Sequence, residues 1–461
     1  MGTGDVERDG ECAPLPAASG EAGGTRSAVQ VAREGDAMYG WAADLYPIHR
    51  SLTGPGVRAT LDYLGERVPG LRRHRVASGT RAFDWIVPDE WQCRRAYVED
   101  ERGERLIDTA WHNLHVVGYS EPIDAWMTVA ELDAHLHSLP QHPTWVPYIT
   151  SYYRRRWGFC LSHAQRERLR SVPDKRVRVV VDATLGPGFL DFADLLVPGE
   201  SSDEILFSTY VCHPSMANNE LSGPVVQAAL ARWVQSLPRR RHTFRFVFVP
   251  ETIGSLVYLS EHLDHMRAHT RAGFTLTCFG DDRTFSYLAS RRADTLADRV
   301  ARHVLKHRVG AFAAYSFLDR GSDERQYCAP GIDLPVCSLM RTKHGEYPEY
   351  HTSADDLTVI SPVALEASLA LCKDIVAVLE ENHRYRTTTL GEPHLGSRGL
   401  YPSISSGEID AASSRYRDIL AYADGELDLI GLADTIGASA VDLLPAIATL
   451  RQHGLIVAEP R

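Results

Sequence analysis

Four residues of metal-ligating type stand where apolar, strand-like runs end or in the loops that follow them. His213 follows EILFSTYVC, Glu251 follows FRFVFVP, Asp323 lies in DRGSDERQYCAPGIDLP, and His351 lies in EYPEYHTSADDL. Two imidazoles and two carboxylates are donors that suit zinc. No short HExxH-type spacing joins them, so distant loops have to assemble the site. Glu349, two residues before His351, is a candidate general base or partner for a substrate amine. Plain structural roles compete for each residue. His213 before Pro214 reads equally as a loop histidine, Glu251 as the cap of a helix starting near Gly254, and Asp323 as the partner of Arg320 or Arg325.

The elements that must position these residues alternate between strand and helix. The run before His213 is β-branched and apolar, and open α/β sheets hold their chemistry at the carboxyl ends of such strands. LSGPVVQAALARWVQSL then repeats apolar residues at helical spacing, with Ser222 and Gly223 opening the helix. The alternation continues from about residue 204 to 382 and predicts an α/β layer fold with a mainly parallel core. Upstream, MYGWAADLYPIHRSLTGPGVRATLDYLGERV reads as two helices broken at residues 51–56, with Arg50 and Arg58 flanking the break as solvated helix surface.

Between them, residues 77–198 carry short β-type runs and frequent turns, including the hairpin AYVED-ERGE-RLIDT. Six tryptophans in this region (Trp85, Trp91, Trp111, Trp126, Trp145, Trp157) read as a small β-domain core, with a substrate wall as the alternative. After a turn-rich linker, LIGLADTIG, VDLLPAIATLRQHG and LIVAEP give the two helices and strand of a winged helix-turn-helix. Its recognition helix, residues 440–453, offers Arg451 as its strong base, too little for reading DNA. An interface or homo-oligomer role, through this domain or the inserted one, is expected instead.

Composition narrows the partners. The chain has 461 residues, 44% hydrophobic and 24% charged, with a formal net charge of −11, which disfavours a phosphate-binding surface and nucleic acid. The 8 cysteines are scattered without a CxxC pair, as in a protein with reduced thiols. No run approaches the ~20 apolar residues of a membrane span, and the Gly- and Ala-rich start lacks a signal-peptide core. The expectation is a cytoplasmic protein with no membrane partner.

Several segments together resemble a known family. GSDERQYCAPGIDLP and YHTSADDL are similar to segments of the zinc aminopeptidases, glutamate carboxypeptidase and glutaminyl cyclases. RSLTGPGVRATL, FDWIVPDEW, YYRRRWGFC, CHPSMANNELSG, PETIGS and GEYPEYHTSADDL resemble more closely a bacterial aminopeptidase-like family with an inserted β-domain and a carboxyl-terminal winged helix. The resemblance covers nearly everything from residue 38 on. It implies an α/β fold with a zinc-exopeptidase-like central mixed sheet flanked by helices. After a start at 1–36 whose Gly-, Ala- and acid-rich composition reads as disordered, it implies a catalytic domain at 37–80 and 199–385 and a β-rich insert at 81–198. A linker at 386–405 and a winged helix at 406–461 complete the expected division.

By the same resemblance, His213 and His351 match zinc-ligand histidines, Glu251 matches a ligand or general base, and Asp323 matches a carboxylate that orients the site. Asn219 stands where the family holds the aspartate that bridges two metals, and Thr277 where aminopeptidases place another ligand aspartate. A neutral amide cannot hold two cations together, so one zinc per chain is expected, with His213, Asn219, Glu251 and His351 as its candidate ligands and Glu251, Glu349 and Asp323 as catalytic candidates. Glu220 restores the missing charge if the turn shifts register. The implied reaction is zinc-dependent hydrolysis of an amide bond in a small aminoacyl or peptidyl substrate, in secondary-metabolite or polysaccharide biosynthesis. The alternative is a degenerate protein that binds this substrate, or runs acyl transfer or cyclisation.

Overall fold

The computed structural model describes residues 25–401 and 411–459. Its centre is an eight-stranded mixed sheet built from β1 (Arg72–Ala77), β2 (Phe189–Val197), β3 (Glu204–Tyr210), β4 (Thr243–Val249), β5 (Thr270–Leu276), β6 (Ser286–Leu288), β7 (Ala313–Tyr315) and β8 (Val336–Met340). The strand order is β1-β2-β4-β3-β5-β8-β6-β7. Strands β4, β3, β5 and β8 run parallel, and antiparallel β2 and β6 flank them. The parallel strands are buried on both faces, which explains their near-continuous apolar composition.

Period-two alternation decides which face each side chain joins. Ile205, Phe207, Phe244, Phe246 and Phe248 join one core, with stacked Phe207–Phe246 and Phe207–Phe274 rings at 5.6 and 5.2 Å. Leu206, Val247 and Val249 enter the other. Helices α1 (Thr25–Leu45), α2 (Pro55–Arg67), α3 (Ser222–Ser236), α5 (Leu296–Val309) and α6 (Pro362–Glu380) contribute to the first core, and α4 (Ile253–His269) packs in the second. Only glycine fits where α3 starts: a Cβ on Gly223 would lie 2.4 Å from the Leu276 carbonyl and 2.5 Å from Thr209 Oγ1.

The inserted sheet is antiparallel, in the order 105–108, 90–100, 176–186, 123–128, and includes the expected hairpin. It shares the second core with α4 through Val98, Val179 and Val181. Two expected boundaries need correction. Residues 189–197, placed in the insert at 81–198, form β2 of the central sheet, because Ala193 to Val197 pair with β4. Residues 384–387, placed across the catalytic domain and linker, pair with 424–428 and 456–458 as the wing sheet. Strand pairing is a tertiary fact that local composition does not carry. The disordered start expected at 1–36 gives way to helix from Thr25 onward; residues 1–24, and the linker and winged-helix positions at 402–410, lie outside the described residues.

The carboxyl-terminal unit holds α7 (Ala411–Tyr422), α8 (Leu429–Ile436) and α9 (Ala440–Gln452). Leu443, Ile447 and Leu450 of α9 join the first core, and α9 packs against α5 and α6. Its opposite face, with Asp442, Pro445, Ala448 and Arg451, is exposed. Among the described residues no single helix is long and apolar enough to cross a membrane, and all seven cysteines are free thiols.

Candidate metal centre

The loop after β3 opens the site. His213 is 3% exposed, and its Nδ1 lies 2.9 Å from Glu220 Oε2. With Glu220 accepting as a carboxylate, the imidazole proton would sit on Nδ1 and leave the Nε2 lone pair free. Nε2 faces Glu251 Oε2 at 3.7 Å. The His351 ring lies 5.4 Å from that of His213, centre to centre. Two imidazoles bound at ~2.1 Å to one tetrahedral ion have ring centres about 5 Å apart, so both rings can serve one cation.

The other sequence candidates surround this pair unequally. Glu251, directly after β4, anchors its N–H on Cys212 Sγ at 3.3 Å. It caps no helix, since Thr252 is the N-cap of α4 and its side chain makes no cap bond. Burial, and then the neighbouring Asp323, push the Glu251 carboxyl up to about 8. Asp323 Oδ1 accepts from Thr252 N–H at 2.7 Å and Ser255 Oγ at 2.9 Å. It ties the Glu251 loop to α4 and pairs with neither Arg320 nor Arg325. Glu349 Oε1 accepts from Arg283 at 2.8 Å and lines a cavity of about 560 Å³ with Trp145, Asp281, Asp282 and Asp356. Glu349 therefore belongs to the cavity wall. The Asn219 amide donates to Tyr210 OH at 2.8 Å, and Tyr210 in turn packs 5.1 Å from His213.

Several buried polar atoms here have no protein partner, among them Asn219 Oδ1, Glu220 Oε1, Asp323 Oδ2, Glu349 Oε2 and His351 Nε2. Native interiors rarely leave such atoms unmatched, and donors of these types fit a divalent cation and polar ligand. Burial holds both imidazoles neutral, as ligation requires, with His213 lowered to about 3 and His351 well below its usual value. Ser215, Thr252, Cys278 and His351 all have positive φ, 44°, 67°, 47° and 56°. Each such residue costs about 1–3 kcal/mol, and strain of this kind concentrates at working sites.

Several contributors come from outside the sequence candidates, and Glu220 stands where the sequence expects it only if the turn shifts register. Arg50, read as solvated surface, is 1% exposed, because its Nε donates to the His213 carbonyl at 2.9 Å and an NH group to the Leu45 carbonyl at 2.7 Å. Arg58 is also no free surface cation: it bonds Glu90 and Asp191 at 2.7 and 3.1 Å. Glu220 lies in a π-turn, Ala217–Leu221, which is the register shift that brings its carboxylate to His213. Asp355 fixes that turn by accepting from the N–H groups of Asn218 and Asn219 at 2.7 and 2.9 Å. From the insert, Tyr148 sets its ring 5.3 Å from His213 and 5.2 Å from His351, and its N–H donates to the His351 carbonyl at 2.9 Å. The resemblance motif RSLTG was the available signal for Arg50; nothing local marked Tyr148.

Sheet order and a ligand cluster at the carboxyl ends of the parallel strands define an aminopeptidase-like α/β protein. A zinc aminopeptidase from Bacillus subtilis shares this fold, with a TM-score of 0.55 at 13% identity over 75% of this chain and 94% of that one. The similarity extends much further to Clostridium acetobutylicum. A crystal structure there described as a peptidase superposes with a TM-score of 0.87 at 35% identity, over 94% of this chain and 99% of that one. A protein from the same organism, named for polysaccharide biosynthesis and an aminopeptidase-like domain, is 39% identical over 374 residues, 81% of this chain and 85% of its own length. The family described as a domain of unknown function, DUF4910, matches residues 39–382, and a winged helix-turn-helix family matches residues 383–458. The chain belongs to the DUF4910 family.

Proposed function

We propose that the protein is a zinc-dependent hydrolase of the aminopeptidase or amidase type, holding one zinc per chain and cleaving an amide bond of a small aminoacyl or peptidyl compound. The observation that carries this reading is His213, with Nδ1 bonded to Glu220, Nε2 turned toward Glu251 and the His351 ring 5.4 Å from its own, centre to centre. His213, His351 and Asn219 Oδ1 would hold the ion, with Glu251 beside them. Zinc there would polarise the scissile carbonyl and lower the pKa of water. Glu251 takes a proton from the attacking water and returns it to the leaving amine. Asp323 keeps the Glu251 loop in place through Thr252 and Ser255. Glu349, with one oxygen on Arg283 and the other unpartnered, receives the substrate amine at the cavity wall. Tyr148 covers the two imidazoles from the insert side and limits water there.

The name of the Clostridium relative supports a place in surface-polysaccharide biosynthesis, and the free thiols support a cytoplasmic setting. The packing of α9 against α5 and α6, and an exposed face whose strong base is Arg451, support an architectural role for the winged helix without nucleic acid. The test is elemental analysis of zinc per chain, followed by assay of amino-acid release from aminoacyl amides with and without chelator. About one zinc and chelator-sensitive release are expected; absence of both refutes the reading. A second reading, binding or acyl transfer without hydrolysis, is favoured by the neutral Asn219, whose amide is committed to Tyr210. It predicts metal uptake without release of free amino acid.

A further inference from the structure

The π-turn separates two neighbouring side chains that a regular helical start would hold differently. Asn219 points its amide at Tyr210, whereas Glu220 turns to the opposite wall, 2.9 Å from His213 Nδ1. The turn is held in this shape from several sides. Asp355 takes two of its N–H groups, and Ser222 Oγ donates to the Asn218 carbonyl at 2.5 Å. The direction of Glu220 is therefore a property of the fold.

Behind Glu220 stands Arg50. Its Nε lies 3.5 Å from Glu220 Oε1, and both side chains are sealed from solvent. Glu220 is the only acidic partner of Arg50 within 4.0 Å among the described residues. Removing either member would leave the other buried without its partner, so the two side chains depend on each other. The same guanidinium bonds the His213 carbonyl, so one cation fixes the ligand's backbone and the carboxylate that contacts its ring.

We propose that Arg50 and Glu220 are positioning residues that hold His213 with its proton on Nδ1 and Nε2 presented to the cation, and that Glu220 supplies the negative charge that Asn219 lacks. The proposal rests on the zinc reading for its second half only. Glu220 touches the ring nitrogen away from the cation, so it acts through His213 and binds neither metal nor substrate directly. A carboxylate on the far nitrogen raises the basicity of a ligand histidine, and losing such a partner weakens metal binding about 10–100-fold.

Two measurements test this. The first uses the metal-free wild-type protein with ¹⁵N-labelled histidine, in which ring-nitrogen shifts report the tautomer; His213→Ala identifies the signals. A proton on Nδ1 supports the proposal, and a proton on Nε2 overturns it. The second compares zinc affinity of the wild type and Glu220→Gln by competition with a chromophoric chelator. Gln keeps the acceptor oxygen and removes the charge, and circular dichroism checks that the variant folds. The expected result is a dissociation constant raised about 10–100-fold, together with a shifted visible spectrum of the cobalt-substituted form. Unchanged affinity in a folded Glu220→Gln protein overturns the role of the charge. A wild-type chain that takes up no zinc overturns the hydrolase reading and the charge claim, while the tautomer claim still stands or falls by the nitrogen shifts.

Discussion

Two histidines in this chain make the same first contact and use it differently. His213 and His303 each set Nδ1 2.9 Å from a carboxylate oxygen, of Glu220 and of Asp434. Both rings are buried. They part at the second nitrogen. His303 Nε2 accepts the Ala440 N–H at 2.9 Å, so the ring is fully engaged in joining α5 to the start of α9. His213 Nε2 has the Glu251 carboxyl 3.7 Å away, beyond hydrogen-bond reach, and so keeps its lone pair unengaged. With His307, the His303–Asp434 pair even brings ligand atoms within 4.8 Å of one another. A histidine–carboxylate pair therefore does not define a metal site; the neighbour of the far nitrogen does. The carboxylates differ as well, since the Glu220 side chain is fully enclosed and that of Asp434 is 53% exposed. One pair works in a medium that magnifies charge, and water screens the other.

The sharpest break in this comparison comes from truncating each ring. His213→Ala is expected to lose zinc entirely and His303→Ala to retain about one per chain, measured by elemental analysis after gel filtration. Equal zinc in the two variants would show that the far nitrogen does not decide. Glu251→Gln follows in size. If Glu251 carries the proton, kcat/KM falls about 10²–10⁴-fold while zinc content stays at the wild-type level. Loss of zinc in that variant would make Glu251 a ligand instead and leave proton transfer to another group. His303→Ala has a third, smaller effect of its own. It strands the Ala440 N–H in a buried position, which costs about 1–3 kcal/mol. A lower melting temperature and faster limited proteolysis within residues 383–458 are the expected readouts, with amide hydrolysis unchanged.

How much of this was legible in the sequence follows the range of the interactions. The strand that leads to His213 and the helix that opens at Ser222 rest on local composition, and both form as expected. The winged helix was equally visible, because two amphipathic helices and a closing strand are near neighbours in the chain. The pairing of β2 with β4 was not, since it joins segments separated by the whole β3–α3 unit. At the site, His213 and His351 carry their chemistry in their residue type. Arg50 does not: an arginine beside a helix break reads as solvated, and only the converging loop after β3 buries it. Glu220 was legible only as a conditional, because its place depends on one residue of backbone register, the difference between an α-turn and a π-turn.

Tyr148 yields the smallest expected effect and separates what its ring does from what its hydroxyl does. The phenol oxygen lies 3.1 Å from Tyr152 OH, and the ring packs against both imidazoles. Tyr148→Phe removes one hydroxyl contact between two half-buried rings and leaves Tyr152 OH short of that partner, a loss of about 1 kcal/mol. It keeps the ring surface over His213 and His351, and the bond from residue 148 N–H to the His351 carbonyl survives because it is backbone. Zinc affinity and kcat are therefore expected to match the wild type, with a small drop in melting temperature. A folded Tyr148→Phe protein that binds zinc normally but loses kcat about 10-fold or more would place the hydroxyl in proton transfer. The insert would then supply chemistry to the site as well as cover.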